Sequence, residues 1–311
     1  MPSIQSRERS VPTLGFIPAY AKINYTLDAL GKRPDGYHAL ASVMQTVALC
    51  DTLGLRARSD GELALVCDVP ALQAEDNLAL RAARRLQAEA ARPLPDVTIE
   101  LRKAIPAQAG LGGGSSDAAS VLVALNAAWS LGLDDTRLEA LGAELGSDVP
   151  FFIRGGTALI EGRGERVTPL PDAEPLWIVL ARPRLGLSTA AVFRALAPAD
   201  YTSGEDTAAV ADAIRAGQPL PFERCFNALE RGVAAAYPAV EAALSALRAA
   251  GAPVARLSGS GPTVFAPFRE LLPAATVAEA VRAVGLEVWL THTVTAGQCA
   301  SVRPSRVSQG G

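Results

Sequence analysis

The sequence predicts an α+β fold in two layers, and three observations carry that expectation. Short β-leaning runs and Ala/Leu-rich helical runs follow one another in an order with no fixed period, which excludes a solenoid. The 311 residues are 49% apolar and 20% charged, enough to bury one large core or two modest ones. A charged, Pro-rich stretch, PLPDAEP at 169–175, divides the chain, so two domains are expected over 1–170 and 171–311.

Taken in order, residues 1–12 are polar and are expected to be disordered, and GFIPAYAKINYTLDAL then reads as a strand or bent hairpin arm. GKRPDG is a turn, and HALASVMQTVAL mixes periods so that strand and helix stay open. DTLGLRARSDGELALVC reads as two short strands around Ser59-Asp60-Gly61. Asn77 precedes LALRAARRLQAEAA, a capped helix. The clearest unit is strand VTIELRKAI, loop PAQAGLGGG and a helix opening at Ser115, with Ser115 and Ser116 as N-cap and hydroxyl donors. Helix DTRLEALGAEL leads to GSDVPFFIRGGTALIEGRGERVTPL, where Gly162 to Gly164 turn a hairpin. Beyond 175 come strand PLWIVLARP, Ala-rich helices over 189–250, strand-turn-strand RLSGSGPTVFAPF, a helix near 275–284, strand GLEVWLTHTV and a tail, SVRPSRVSQGG, expected to be mobile.

Composition removes several function classes. The net charge of -3, from 29 basic and 32 acidic residues, lacks the basic excess of a nucleic-acid binder. No long apolar run is free of charge or Gly/Pro, and the N-terminus lacks an apolar signal region, so no membrane association and a cytoplasmic location are expected. Cys50, Cys67, Cys225 and Cys299 are widely spaced and only two histidines exist, which argues against a disulfide framework or a structural zinc site. Any metal would be held by oxygen. The chain has only three lysines, Lys22, Lys32 and Lys103, so each is a candidate for a task that a planar guanidinium cannot perform.

Gly110, Gly112, Gly113 and Gly114 lie in one loop between strand and helix, the layout of a phosphate site. A side chain at Gly113 is expected to fill space that a phosphate oxygen needs. No lysine follows these glycines as a P-loop requires, and Ser115 stands where a dinucleotide fingerprint needs Gly or Ala. The HRD and DFG elements of a protein kinase are absent.

KAIPAQAGLGGGSSDAA resembles the phosphate loop of the GHMP kinases, PAYAKINYTL resembles their first motif and RLSGSGPTVFA their third, in the family's order and over about residues 15–295. RPDGYHAL and GSDVPFFIRGGTALIEGRGE narrow the resemblance to members that phosphorylate the 2-hydroxyl of a diphosphocytidyl methylerythritol in the non-mevalonate isoprenoid pathway. The resemblance implies an N-terminal domain like ribosomal protein S5 domain 2 and a ferredoxin-like C-terminal domain. It implies ATP as co-substrate, with Mg²⁺ held by phosphate and water; no protein ligand is assigned, although Ser116 is conceivable.

The same resemblance makes Asp148 the general base and Lys22 its cationic neighbour, whose ammonium favours ionised Asp148 and offsets charge on the transferring phosphoryl group. Asn24 shares a strand face with Lys22 and is a substrate contact. Tyr37 and Phe193 are expected to sandwich cytosine while His38 reads its edge, with Thr189, Gly259 and Ser260 also at the substrate. ATP falls to Asn77, Lys103, Pro106, Gly110, Leu111, Gly112, Gly113, Gly114, Ser115 and Ser116. Tyr20 and Tyr25 depart from the small or aliphatic residues usual in the first motif. The glycine loop alone would serve other small-molecule kinases, a silent binding module or an ATP-consuming decarboxylase, whereas a cytidine pocket serves one acceptor.

Overall fold

Two long strands, β1 (Leu14–Lys32) and β2 (His38–Ala57), carry the first layer and pair antiparallel over nearly their whole length. The computed structural model describes residues 14–58, 60, 62–90 and 92–303; the expectations for 1–12, for Ser59 and Gly61 of the turn, and for most of the tail lie outside them. The elements that follow β2 are β3 (Leu63–Cys67), α1 (Leu78–Glu89), β4 (Val97–Arg102), α2 (Gly113–Ala128), α3 (Asp135–Leu145), α4 (Val149–Arg154), β5 (Thr157–Gly162) and β6 (Arg166–Pro169). Then come β7 (Trp177–Arg182), α5 (Thr189–Arg194), α6 (Glu205–Arg215), β8 (Phe226–Asn227), α7 (Glu230–Ala236), α8 (Pro238–Ala249), β9 (Arg256–Leu257), β10 (Val264–Phe268), α9 (Leu271–Ala283), β11 (Glu287–His292) and α10 (Ala296–Ser301).

Segment 38–49, left open by its pattern, is strand, and β2 runs on through 51–57. The two runs around Ser59-Asp60-Gly61 are therefore not a hairpin. β4 lies between them, antiparallel to β2 and parallel to β3, because local alternation marks a strand without choosing its partner. The free edge of β2 is shared: Thr52–Ala57 takes β4 and Leu40–Gln45 takes β5. The β5–β6 hairpin turns at Gly162 to Gly164 as expected. The second sheet has the antiparallel order β11-β7-β10-β9, the split βαββαβ arrangement of a ferredoxin-like unit. Segment 169–175 links the sheets, yet β8 returns to pair with the far edge of β1.

Two local expectations change. α2 opens at Gly113 with Gly112 as its N-cap at φ +74°, so Ser115 and Ser116 lie inside the first turn instead of capping it. A last helix, α10, was not legible; its Thr295 and Gln298 form a capping box.

The sheets meet through a shared apolar cluster in which Ile23 and Val43 of the first contact the layer of Ile178, Leu180 and Phe265 from the second. Tyr25, one of the two departures in the first motif, is fully buried there with its hydroxyl unpartnered, while Tyr20 is half-buried. Phe265 is fully buried at this junction, so Phe265→Ala should cost about 3–5 kcal/mol in urea unfolding. A loss below about 1 kcal/mol would show that the junction contributes little to stability.

Candidate active site

Strand β1 delivers Lys22 and Asn24 to one cavity of about 930 Å³. Register shifts between Tyr20 and Ala21 and between Asn24 and Thr26 bracket this stretch, and such bulges re-aim side chains. Lys22 is 3% exposed and donates from Nζ to Asn24 Oδ1 at 2.8 Å, as expected for side chains two residues apart on a strand. Asn24 Nδ2 donates to Ser42 Oγ at 2.7 Å, and Ser42 donates to the Thr26 carbonyl at 2.5 Å. This chain fixes which way the Asn24 amide faces, so its oxygen stays toward the ammonium.

Asp148 stands at the N-terminus of α4, but its carboxylate makes no cap bond there. It faces Lys22 Nζ at 3.7 Å and is 30% exposed toward the cavity, leaving its oxygens available to another donor. Burial lowers the Lys22 pKa from the ordinary 10.5, and the Asp148 charge opposes that fall.

Lys103 is also buried, and its ammonium is already paired at 2.5 Å with both Asp51 and Asp117. Asp51 additionally accepts the Ala104 and Ile105 N–H groups at 2.6 and 2.8 Å. Burial opposes the charge on Lys103, but the two carboxylates outweigh it and raise its pKa. Two carboxylates sharing one cation cannot both be fully compensated. Burial is the largest cause that pushes Asp117 up to about 7, Lys103 pulls it down, and Asp51 adds to the rise. Lys103 still lines the cavity, as a member of a buried triad under the glycine loop.

Pro106, Gly110, Gly112, Gly113, Gly114 and Ser115 line the cavity. Gly110 has φ +76°, and a Cβ there would strike the Ser258 carbonyl. At Gly112 a Cβ would lie 2.7 Å from the Phe152 ring. Gly113 differs from expectation: its Cβ would meet Ile105 at 2.9 Å, so helix packing, not phosphate space, excludes a side chain there. The side chains of Leu111 and Ser116 are buried away from the cavity, each 1% exposed. Asn77 lines the cavity but its amide is committed, accepting from Ala79 N and donating to the Leu72 carbonyl, both at 2.8 Å.

At the other end stand Tyr37, His38, Thr189, Phe193 and Ser260. The His38 and Phe193 rings are 6.0 Å apart, and Thr189 and Ser260 hydroxyls bond at 2.9 Å. Burial, then Lys32, lowers the His38 pKa, favouring a neutral imidazole with one N–H and one bare nitrogen. Tyr37 is 54% exposed, with the Arg163 guanidinium 5.3 Å from its ring centroid. Gly259 backs the site from behind, since a Cβ on it would lie 2.9 Å from Lys22 Nζ. His292 lies elsewhere, edge-on to Trp177.

Ser42, Asp51, Asp117, Arg163 and Arg194 were missed as site residues. Asp117 and Arg163 sit inside quoted motifs, SSDAA and GRGE, where their charge was the available signal. Asp51 and Ser42 carry no local signal, because their roles arise from contacts 52 and 18 residues away.

Residues 77–156 match the GHMP kinases N terminal domain and residues 205–286 the GHMP kinases C terminal domain. A 4-diphosphocytidyl-2-C-methyl-D-erythritol kinase of Pelotomaculum thermopropionicum is 44% identical over 279 residues, 88% of this chain and 96% of that one. A crystal structure of 4-(cytidine 5'-diphospho)-2C-methyl-D-erythritol kinase superposes with a TM-score of 0.77 at 35% identity, covering 90% of this chain and 99% of the other. Homoserine kinase from Cytophaga hutchinsonii shares the fold, with a TM-score of 0.69 at 16% identity over 95% and 98% of the two chains.

With three lysines in the chain, a carbon-13 titration of the lysine ε-positions can follow each separately. Lys22 should titrate below 10.5 and Lys103 above it, and Asp148→Asn should lower Lys22 further by removing the charge that opposes burial. Three coincident titrations near 10.5 would contradict the buried geometry.

Proposed function

The chain belongs to the GHMP kinase family, and on that premise we propose how its cavity transfers the γ-phosphoryl group of ATP to the 2-hydroxyl of 4-diphosphocytidyl-2-C-methyl-D-erythritol, in the non-mevalonate isoprenoid pathway. The observation that carries the reading is that one cavity contains the glycine loop, the Lys22–Asp148 pair and the Tyr37–His38–Phe193 wall. ATP phosphates lie on the loop, where glycines let backbone N–H groups and the α2 N-terminus approach the anion. Asn77, Pro106 and the Lys103 triad form the nucleotide side. The cytosine stacks at the aromatic wall, which sets the tetritol hydroxyl between the two ends, beside Asp148.

Phosphoryl transfer asks for positioning, charge neutralisation and a proton acceptor. Asp148 Oδ accepts the proton of the attacking hydroxyl, since no cap bond engages it. Lys22, held by Asn24 and Ser42, keeps a compact positive charge where the transferring group becomes negative. Asn24, held between Lys22 and Ser42, and the Thr189–Ser260 pair place further polar groups along the acceptor.

Among the described residues no group of three or more His, Cys, Asp or Glu side chains could cage a metal ion. Mg²⁺ carried by ATP phosphates and water fits this lining, and of the two serines Ser115, which lines the cavity, and not the buried Ser116, would be the protein oxygen beside it. Bound there, the ion would neutralise phosphate charge. A cytoplasmic location and a small-molecule partner, rather than nucleic acid or membrane, complete the proposal. They draw support from the acidic charge balance and from four free thiols.

Asp148→Asn should lower kcat at least about 10²-fold, while calorimetry with a non-hydrolysable ATP analogue shows nearly unchanged affinity. Normal turnover would remove Asp148 from the proton-transfer step. Assayed with ATP, the protein should phosphorylate the diphosphocytidyl alcohol and not homoserine or mevalonate; comparable rates on all three would refute the cytidine pocket.

A further inference from the structure

Four cationic side chains line the cavity, Lys22, Lys103, Arg163 and Arg194. Lys22 is committed to Asn24 and Asp148, and Lys103 to Asp51 and Asp117. Arg163 is different. Its nearest carboxylate is Glu165, 4.0 Å from Nε, and that carboxylate already accepts the Arg163 backbone N–H at 2.7 Å. Asp35 also faces Arg163, but its oxygens are engaged by the Arg33 guanidinium and the Tyr37 N–H. Arg194 follows Phe193 on α5, donates from Nε to the Ala190 carbonyl at 3.1 Å, and has no carboxylate partner among the described residues.

The position of Arg163 connects the two halves of the acceptor site. Its guanidinium lies over the Tyr37 ring at 5.3 Å from the centroid. The next residue, Gly164, packs so closely on Ser147 that an added Cβ would sit 3.1 Å from the serine Cβ, and Ser147 adjoins Asp148. The turn between β5 and β6 thus spans the interval from the base wall to the reacting end. In a diphosphocytidyl acceptor the diphosphate bridge occupies that interval, because it joins the nucleoside to the polyol.

We propose that Arg163 binds the diphosphate bridge of the acceptor, with Arg194, the other cavity-lining arginine, as its second cation. This rests on the functional reading above and adds a subsite to it. A guanidinium suits the task because its planar fork matches phosphate oxygens while its face stays on the aromatic ring. Arginine at these two positions and lysine at the reaction centre then divide the labour: the fork binds the group that stays, the ammonium the group that moves.

The test compares cytidine, CMP and CDP as competitors of the acceptor substrate in the wild type, in Arg163→Met and in the double variant Arg163→Met/Arg194→Met. In the wild type CDP should inhibit more tightly than cytidine. The ratio of the two inhibition constants should fall at least about 10-fold in Arg163→Met and further in the double variant, the scale of lost charge-assisted hydrogen bonds. Taking the ratio cancels any effect of the lost Tyr37 contact on the base itself. Arg163→Lys should recover only part of it, and KM for ATP should not change. If cytidine and CDP fail to inhibit the wild type, the cytidine reading fails. If they inhibit it and the ratio survives in the double variant, the reading stands and the arginine subsite is wrong.

Discussion

The site depends on one close backbone approach, between the loop before α2 and the turn of residues 258–261. The Gly110 carbonyl accepts the Ser258 hydroxyl at 3.1 Å, the Ala109 carbonyl accepts Thr263 N–H at 3.3 Å, and no Cβ can be placed on Gly110. On its other side the loop is tied to β1, where Lys22 N–H donates to the Leu111 carbonyl at 3.0 Å. Three stretches remote in sequence therefore share one backbone junction. The lysine, the glycine loop and the second glycine turn are fixed relative to one another chiefly by main-chain atoms, which tolerate little displacement.

How much of this was legible follows from where each signal lies. The strand-loop-helix unit, the α1 cap at Asn77 and the β5–β6 turn are local, and the sequence marks them directly. Segment 38–49 resisted assignment for a physical reason: Val43 and Met44, adjacent in β2, are both buried, and a strand covered on both faces shows no alternation. Lys103 reads locally as a charge at a strand end, whereas its function in the fold is set by Asp51 and Asp117, which only the folded chain brings near. Asp148 and Lys22 were legible as a pair only through the family resemblance, since 126 residues separate two side chains that meet at 3.7 Å.

On the proposed reading, the two ends of the cavity meet phosphorylated ligands by different means. At the loop end the positive potential comes from backbone N–H groups and the α2 terminus, and the one lysine there is neutralised by carboxylates. At the end that holds Tyr37 and Phe193 it comes from side-chain cations beside aromatic rings. On the proposed reading a net charge of -3 is compatible with two polyanionic ligands, because local dipoles and two guanidinium groups need no global excess of base.

The short strand β8 has a consequence for synthesis. Phe226 and Asn227 cover the edge of β1 at Thr26 and Leu27, and Asn227 also donates to the carbonyls of Leu257 and Gly259. Thr207 binds Asp28 at 2.6 Å, and Thr202 N–H binds the Ala29 carbonyl at 2.9 Å. As the chain leaves the ribosome, the first sheet has its main strands long before this cover is made. About 200 residues separate β1 from β8, so at about 5–20 residues per second the edge stays bare for roughly 10–40 s. A bare strand edge is a template for pairing with other chains until such a cover is made. The Asn227 side chain of this cover also reaches the Leu257 and Gly259 carbonyls, so closing the β1 edge and seating the 258–261 turn draw on the same residue.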